Sequence, residues 1–164
     1  MDEPSLSVRT SYAARVSGIA VLVWGEETAG RCGVVETVEE RGAHPPRHLH
    51  LREDETLYVI EGSLSVWVVG EWVEAPAGTA LFLPGSVEHA LLAETERVLS
   101  YFAPAGFERF YGEMATVGPP DVERLVTTAA RYGCEIAGPT PERPLVESAG
   151  GGDDAVYYGA LRKG

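Results

Sequence analysis

The sequence predicts an all-β sandwich or barrel with two helices at its C-terminal end. Three observations predict it. Between residues 18 and 105, short runs rich in β-branched and aromatic residues alternate with Gly, Pro or acidic turn signals. No helical pattern interrupts those runs, which argues against a parallel sheet. After Pro104 the apolar spacing switches from the period of a strand to that of a helix.

In chain order the expected strands are "GIAVLVW" (18–24), "RCGVVETV" (31–38), "ETLYVI" (55–60), "SLSVWVVG" (63–70), "TALFLP" (79–84) and "RVLSYFAP" (97–104). The first helix is predicted from Phe107, Phe110, Tyr111 and Met114, spaced i, i+3, i+4 and i+7. The second opens at Asp121 after two prolines and repeats the spacing with Val122, Leu125, Val126 and Ala129, and Gly133 supplies its stop. Both apolar stripes are expected to pack on the outside of the barrel. "GPTPERPLVESAGGGDDAVYYGALRKG" has three prolines, a GGG run and no period, and is expected to be a mobile tail. The organisation is then an N-terminal segment (1–17), a barrel (18–105), C-terminal helices (106–137) and the tail (138–164).

At 164 residues the chain is long enough for one domain with a core and short for two. Its net charge of −12 excludes the basic face that a nucleic-acid partner requires. No apolar run reaches the ~18 residues that span a bilayer, and the polar, acidic start "MDEPSLSVRT" is unlike a secretory signal. The expectation is a cytoplasmic protein without membrane contacts. Cys32 and Cys134 are expected to be core thiols rather than a disulfide, and the absence of a CxxC pair argues against thiolate metal binding.

The stretch "HPPRHLHLREDETLYVIEG" (44–62) gathers three of the chain's four histidines. On a strand, His48 and His50 point to one face with Cα atoms ~6.5–7 Å apart, so two imidazoles can converge on one ion. Glu55 opens the next strand and can turn inward beside them, and His89 lies beyond the strand that ends at Pro84. Three imidazoles and one carboxylate suit Fe, Mn, Co, Ni, Cu or Zn rather than Ca or Mg. Such a set leaves coordination positions open, the mark of a catalytic ion.

The same spacing carries a resemblance. Gly42, His48, His50, Glu55 and Gly62, with five, one, four and six residues between them, resemble the first motif of the cupin superfamily at every fixed position. Gly78, Pro84 and His89 resemble its second motif, with Ser86 where the family usually has glycine and Ala93 where it has asparagine. "REDETLYVIEG", "PAGTALFLPGSVEHA", "FAPAGFERFY" and "RYGCEIAGPT" are similar to single-domain bacterial cupins of the quercetin dioxygenase-like kind. The resemblance implies a jelly-roll β-barrel (double-stranded β-helix) with two C-terminal α-helices packed outside and, often, a homodimer. It also implies one divalent transition metal ion held by His48, His50, Glu55 and His89.

The leading functional expectation is an oxygenase acting on a small aromatic or enolisable molecule, with Glu55 as proton acceptor beside the metal. The alternatives are a non-oxidative cyclase, isomerase or decarboxylase with the same ion, and a non-catalytic small-molecule binder. Arg47 and Glu53 are expected to be surface charges, and His44 a solvated residue near the barrel mouth. Trp24, Trp67, Trp72 and Phe82 are read as core in preference to pocket lining. Tyr58, three residues from Glu55, falls on the opposite face of its strand.

Overall fold

A computed structural model describes residues 18–39, 41–42, 45–117 and 121–143. The N-terminal segment, His44 and most of the expected tail lie outside these residues. The strands are β1 (Ile19–Val23), β2 (Gly33–Glu39), β3 (Arg47–His50), β4 (Asp54–Val68), β5 (Glu71–Pro76), β6 (Ala80–Leu83), β7 (His89–Ala103) and β8 (Cys134–Gly138). The helices are α1 (Glu108–Val117) and α2 (Val122–Arg131), with a short 3-10 turn at Gly25–Thr28.

All strand pairings are antiparallel, and the sheet curls on itself around β4 and β7. β7 pairs with β2, with β4 along most of its length and with β3 at His89. β4 also pairs with β5 and β6. Two runs expected as separate strands, 55–60 and 63–70, are one strand, because irregular pairing between Val59 and Leu64 bends β4 without ending it. β7 likewise begins at His89 rather than at residue 97. β5 was not anticipated at all.

Alternation along these strands divides the core in two. Leu57, Val59, Leu64, Val66, Ala75, Leu83 and Val98 form one buried cluster. Val21, Val35, Phe102, Phe107, Ala129 and Cys134 form the second, beneath the helices. α1 contributes the predicted face: Phe107 just before it and Met114 within it are buried, with Phe110 and Tyr111 packed alongside.

α2 departs from expectation. Asp121 caps it as predicted, accepting a hydrogen bond from the Arg124 N–H at 2.8 Å. Its buried face is Thr128 and Ala129, with Tyr132 following, whereas Val122 is 76% exposed and Val126 39%. Only the C-terminal half of α2 reaches the sheet. The segment read as the end of the helical region, 134–137, is strand: Cys134–Gly138 pairs with β3 in the register His50 to Cys134 and His48 to Ile136. Gly133, at φ +79°, turns the chain out of the helix and into this strand. No described helix is long and apolar enough to cross a membrane.

Candidate metal centre

β3 is four residues long, yet it holds two of the four predicted ligands because alternate residues share a face. His48 and His50 are buried, at 8% and 2% exposure. The strand is fixed on both edges, by β8 on one side and by the His48–His89 pairing with β7 on the other. Glu55 is the second residue of β4, opposite Phe102 of β7 and Leu83 of β6, and faces the same interior. All four predicted ligands are thus brought together, with one donor atom of each within 4.8 Å of every other. It is the one such group among the described residues.

The ring orientations follow from backbone carbonyls. The Nδ1–H of His48 donates to the Pro46 carbonyl at 2.7 Å, and that of His89 to the Val87 carbonyl at 3.0 Å. A carbonyl only accepts, so each Nδ1 carries the hydrogen and each Nε2 presents a lone pair. His89 Nε2 lies 3.4 Å from Glu55 Oε2, and His50 Nε2 lies 3.2 Å from the same oxygen. None of these three buried atoms has a hydrogen-bond partner. A lone pair facing a carboxylate oxygen across this gap is repulsive unless a proton or a cation stands between them. The residues present therefore fit a metal ion.

The electrostatics agree with this geometry. Burial, reinforced by the neighbouring His89 and His50, lowers the His48 imidazole to about 3, so it is neutral and able to coordinate. Burial opposes ionisation of Glu55, and a hydrogen bond or positive charge at the facing His50 and His89, the part a cation plays when the rings are neutral, holds this carboxyl below the usual carboxylate range. Phe107 packs edge-on against His50, ring centroids 4.3 Å apart, and Phe102 lies 5.6 Å from it. These rings exclude water from one side of the centre.

The second motif keeps its shape despite its departures. Gly62 and Gly78 sit at φ +79° and +88°, and Ser86 at +63°. Serine thus occupies the left-handed conformation that the family's usual glycine would take more cheaply. The Ser86 N–H donates to the His50 carbonyl at 2.7 Å, and the Gly85 N–H to Asp54 Oδ1 at 2.7 Å. These bonds tie the turn before His89 to the strands carrying His50 and Glu55.

The expectation for Glu53 fails. It is 2% exposed, and burial raises its carboxyl above the ordinary value. The "REDE" run looks solvated in sequence, but residue 53 tucks under the loop at Gly106, where an added Cβ would meet Glu53 Oε1 at 2.7 Å. Arg47 is half-buried, paired with Glu88 at 3.2 Å and donating to the Ala137 carbonyl at 3.1 Å. Tyr58 is exposed as expected, and Phe82, at 62% exposure, is neither core nor pocket.

Sequence reasoning also passed over Glu108. It is fully buried, and its carboxylate accepts the N–H groups of Gly25 at 3.0 Å and Gly106 at 2.6 Å. An acid in the first turn of a helix is the available sequence signal for such backbone bonding.

A curled antiparallel barrel with three histidines and a glutamate gathered at its centre, a set that suits a metal ion, defines a class, the jelly-roll barrel. Known proteins match accordingly. The family model described as "Cupin domain" matches residues 34–103. Quercetin 2,3-dioxygenase of Bacillus subtilis (strain 168) is 26% identical over 97 residues, covering 58% of this chain. The chain spans only 28% of that relative. KdgF from Halomonas sp. superposes with a TM-score of 0.57 at 22% identity, over 64% of this chain and 99% of that one. An RmlC-like cupin from Shewanella frigidimarina gives 0.55 at 23%, over 64% and 96%. The polyketide cyclase RemF from Streptomyces resistomycificus gives 0.53 at 18%, over 60% and 80%. Residues 34–103 thus match the cupin domain, and the fold is that of the cupin structures it resembles.

Proposed function

We propose that this cupin is a metal-dependent, cytoplasmic oxygenase acting on a small aromatic or enolisable molecule. The observation that carries the metal is the face-to-face arrangement of Glu55 Oε2 with the unpartnered Nε2 atoms of His50 and His89. The oxidative choice is supported by the similarity to quercetin 2,3-dioxygenase. His48, His50, Glu55 and His89 would hold the ion. A divalent transition ion bound there supplies Lewis acidity toward a substrate oxygen and, if redox-active, electron transfer to dioxygen.

The protein's own contribution is positioning, dryness and a base. The buried Glu55 carboxylate is the base in this reading, accepting the proton of a hydroxyl or enolisable C–H that approaches the centre. Further along the same inward faces, Leu57 and Ser100 line a cavity of about 40 Å³, together with Thr37, Leu91 and Tyr111. That is room for a water molecule rather than an aromatic ring, whose sites are typically ~300 Å³ or more. A substrate of that size must displace part of the lining. Tyr111, carried by α1 outside the sheet, can move without breaking strand pairing.

Oxygen consumption with flavonols and related polyphenols, after elemental analysis of the purified protein, tests the reading. Metal-dependent uptake that is lost in Glu55→Ala supports it. Product formation under strict anaerobiosis moves the protein to the non-oxidative cyclase, isomerase or decarboxylase class. Stoichiometric metal with no turnover leaves a binding protein.

The homodimer also remains a proposal. Two copies each of net charge −12 approach most readily through an uncharged face. Exposed Tyr58, Phe82 and Tyr101 form one across β4, β6 and β7, with Thr56, Ala80 and Leu99 between them. Light scattering of the wild type and of Phe82→Glu tests it, and a monomeric wild type overturns it.

A further inference from the structure

Two of the three imidazoles are oriented in the same way, each by a carbonyl two residues before it in the chain. His50 is the exception. Its Nδ1 is buried and has no hydrogen-bond partner. Metal-ligating histidines depend on such a partner, because it fixes the tautomer and the ring angle. Something else must serve His50, or the ring is free to present either nitrogen.

Among the described residues, Glu53 is the one carboxylate outside the ligand set with a buried, unpartnered oxygen. Glu53 is 2% exposed, its Oε2 has no partner, and burial raises its carboxyl with the neighbouring His50 opposing that rise. The turn that carries it is secured from several sides. The Leu51 N–H donates to the Gly133 carbonyl at 2.8 Å, and the His50 carbonyl accepts the Ser86 N–H at 2.7 Å. The Gly85 N–H is bonded to Asp54 Oδ1. Beyond Glu53, the glycine at 106 leaves space for its Oε1, and the N–H of that glycine is held by Glu108. Phe107, next in the chain, packs on the His50 ring. The loop that receives the Glu53 carboxylate therefore also supplies the wall of the His50 site.

We propose that Glu53 is the positioning residue of the metal centre: its carboxylate accepts the Nδ1–H of His50, directly after a small side-chain rotation or through one buried water, and so turns His50 Nε2 toward the ion. This rests on the metal reading above and adds a residue from outside the ligand set. A buried carboxylate and a buried imidazole N–H, each otherwise unpartnered, both lose a large desolvation penalty when they meet.

The test uses zinc as probe and the full chain. Zinc affinity is measured by competition with a chromophoric chelator for wild type, Glu53→Gln, Glu53→Ala and Glu53→Asp. Loss of an outer hydrogen-bond partner typically weakens metal binding about 10–100-fold. That is the expected loss for Glu53→Ala, with a smaller loss for the isosteric Glu53→Gln, whose amide oxygen still accepts. Histidine-selective nitrogen NMR of the zinc-loaded protein gives a second readout that a purely structural role would not move. A slowly exchanging His50 Nδ1–H in wild type should persist in Glu53→Gln and vanish in Glu53→Ala. Should Glu53→Ala fail to fold, the NMR signal of wild type and the affinities of Glu53→Gln and Glu53→Asp decide. Wild-type zinc affinity in every folded variant, or a wild-type His50 protonated at Nε2, overturns the assignment while leaving the metal centre intact. A wild type that binds no zinc overturns the metal reading itself.

Discussion

Removing the Glu108 carboxylate should cost more than removing any exposed acid of this acidic chain, although Glu108 touches neither a proposed ligand nor a cation. The side chain is fully buried and accepts two backbone N–H groups, one from Gly25 and one from Gly106. Hydrogen bonds to a charged acceptor contribute about 1.5–3 kcal/mol each, and removing the acceptor strands both donors away from water. Glu108→Ala should then lose about 3–6 kcal/mol, a large part of a typical domain stability of ~5–15 kcal/mol. For a chain of this size that corresponds to a fall in Tm of about 10–20 °C. Glu108→Gln keeps the shape and one acceptor but turns an NH₂ toward the other N–H, so about 1–3 kcal/mol is expected. The assay is urea unfolding followed by tryptophan fluorescence and circular dichroism. Trp24 is a suitable reporter, because it packs directly over Gly112 of α1. Glu26→Ala, in the same loop but 59% exposed at the side chain, is the control and should change stability by under about 0.5 kcal/mol. A Glu108→Ala midpoint matching that control would refute the reasoning.

Phe102→Ala should destabilise by about 3–5 kcal/mol in the same urea assay, because the ring is fully buried between His50, Phe107 and Tyr111; a cost below ~1 kcal/mol would mean the core collapses into the space. Zinc at 100 times its dissociation constant should raise the unfolding free energy by about 2.7 kcal/mol, and a chelator should reverse it; identical midpoints with zinc and chelator would show no folded-state site. The two free thiols should differ, with Cys32 alkylated by iodoacetamide at pH 8 in the native protein and Cys134 protected until unfolding. Burial, with Glu55 and Glu53 adding to it, pushes the Cys134 thiol up to about 12 from its ordinary 9.0, so its contribution to stability is fully present below pH 9 and lost as pH rises toward 12. Equal labelling of both thiols at pH 8 would contradict that environment.

The ligands were legible in the sequence because their geometry is mostly local. His48 and His50 share a face by strand alternation, and Glu55 follows within one tight turn. His89 was reached from its position just after the strand that ends at Pro84 and from its motif spacing. The pairing that places it opposite His48 depends on a strand register that no local pattern records. β5 and β8 escaped notice for different reasons. "EWVEAP" mixes acids and a proline into its alternation, whereas "CEIAG" is a five-residue strand paired with β3 alone. On α2 the valines carried the apparent apolar stripe. The face that is buried uses Thr128 and Ala129, because the N-terminal half of the helix runs past the sheet. Buried acids are the hardest class to read, since the partners that permit burial lie far away in sequence. For Glu108 one partner is 83 residues off.

Those acids separate structure from function more sharply than any motif does. Among the described residues four glutamates are buried: Glu36, Glu53, Glu55 and Glu108. An isolated carboxylate in such surroundings is prohibitively costly, so each requires compensation. Glu36 has it in the Arg97 guanidinium at 3.0 Å, and Glu108 in two backbone N–H groups. Both acids stabilise the fold with nothing left over for a ligand. Glu55 differs, because the atoms facing its Oε2 are the Nε2 atoms of two imidazoles, at least one of which has already committed its hydrogen to a carbonyl. With the imidazoles neutral a His50 Nε2–H can answer Glu55, but the His89 lone pair still faces it uncompensated, and raising their charge would add repulsion among three rings whose centroids lie 4.3–5.6 Å apart. A divalent cation satisfies all three nitrogens and the carboxylate at once. The proposed bond from the His50 Nδ1–H to Glu53 would meet the same requirement, carried one bond further out.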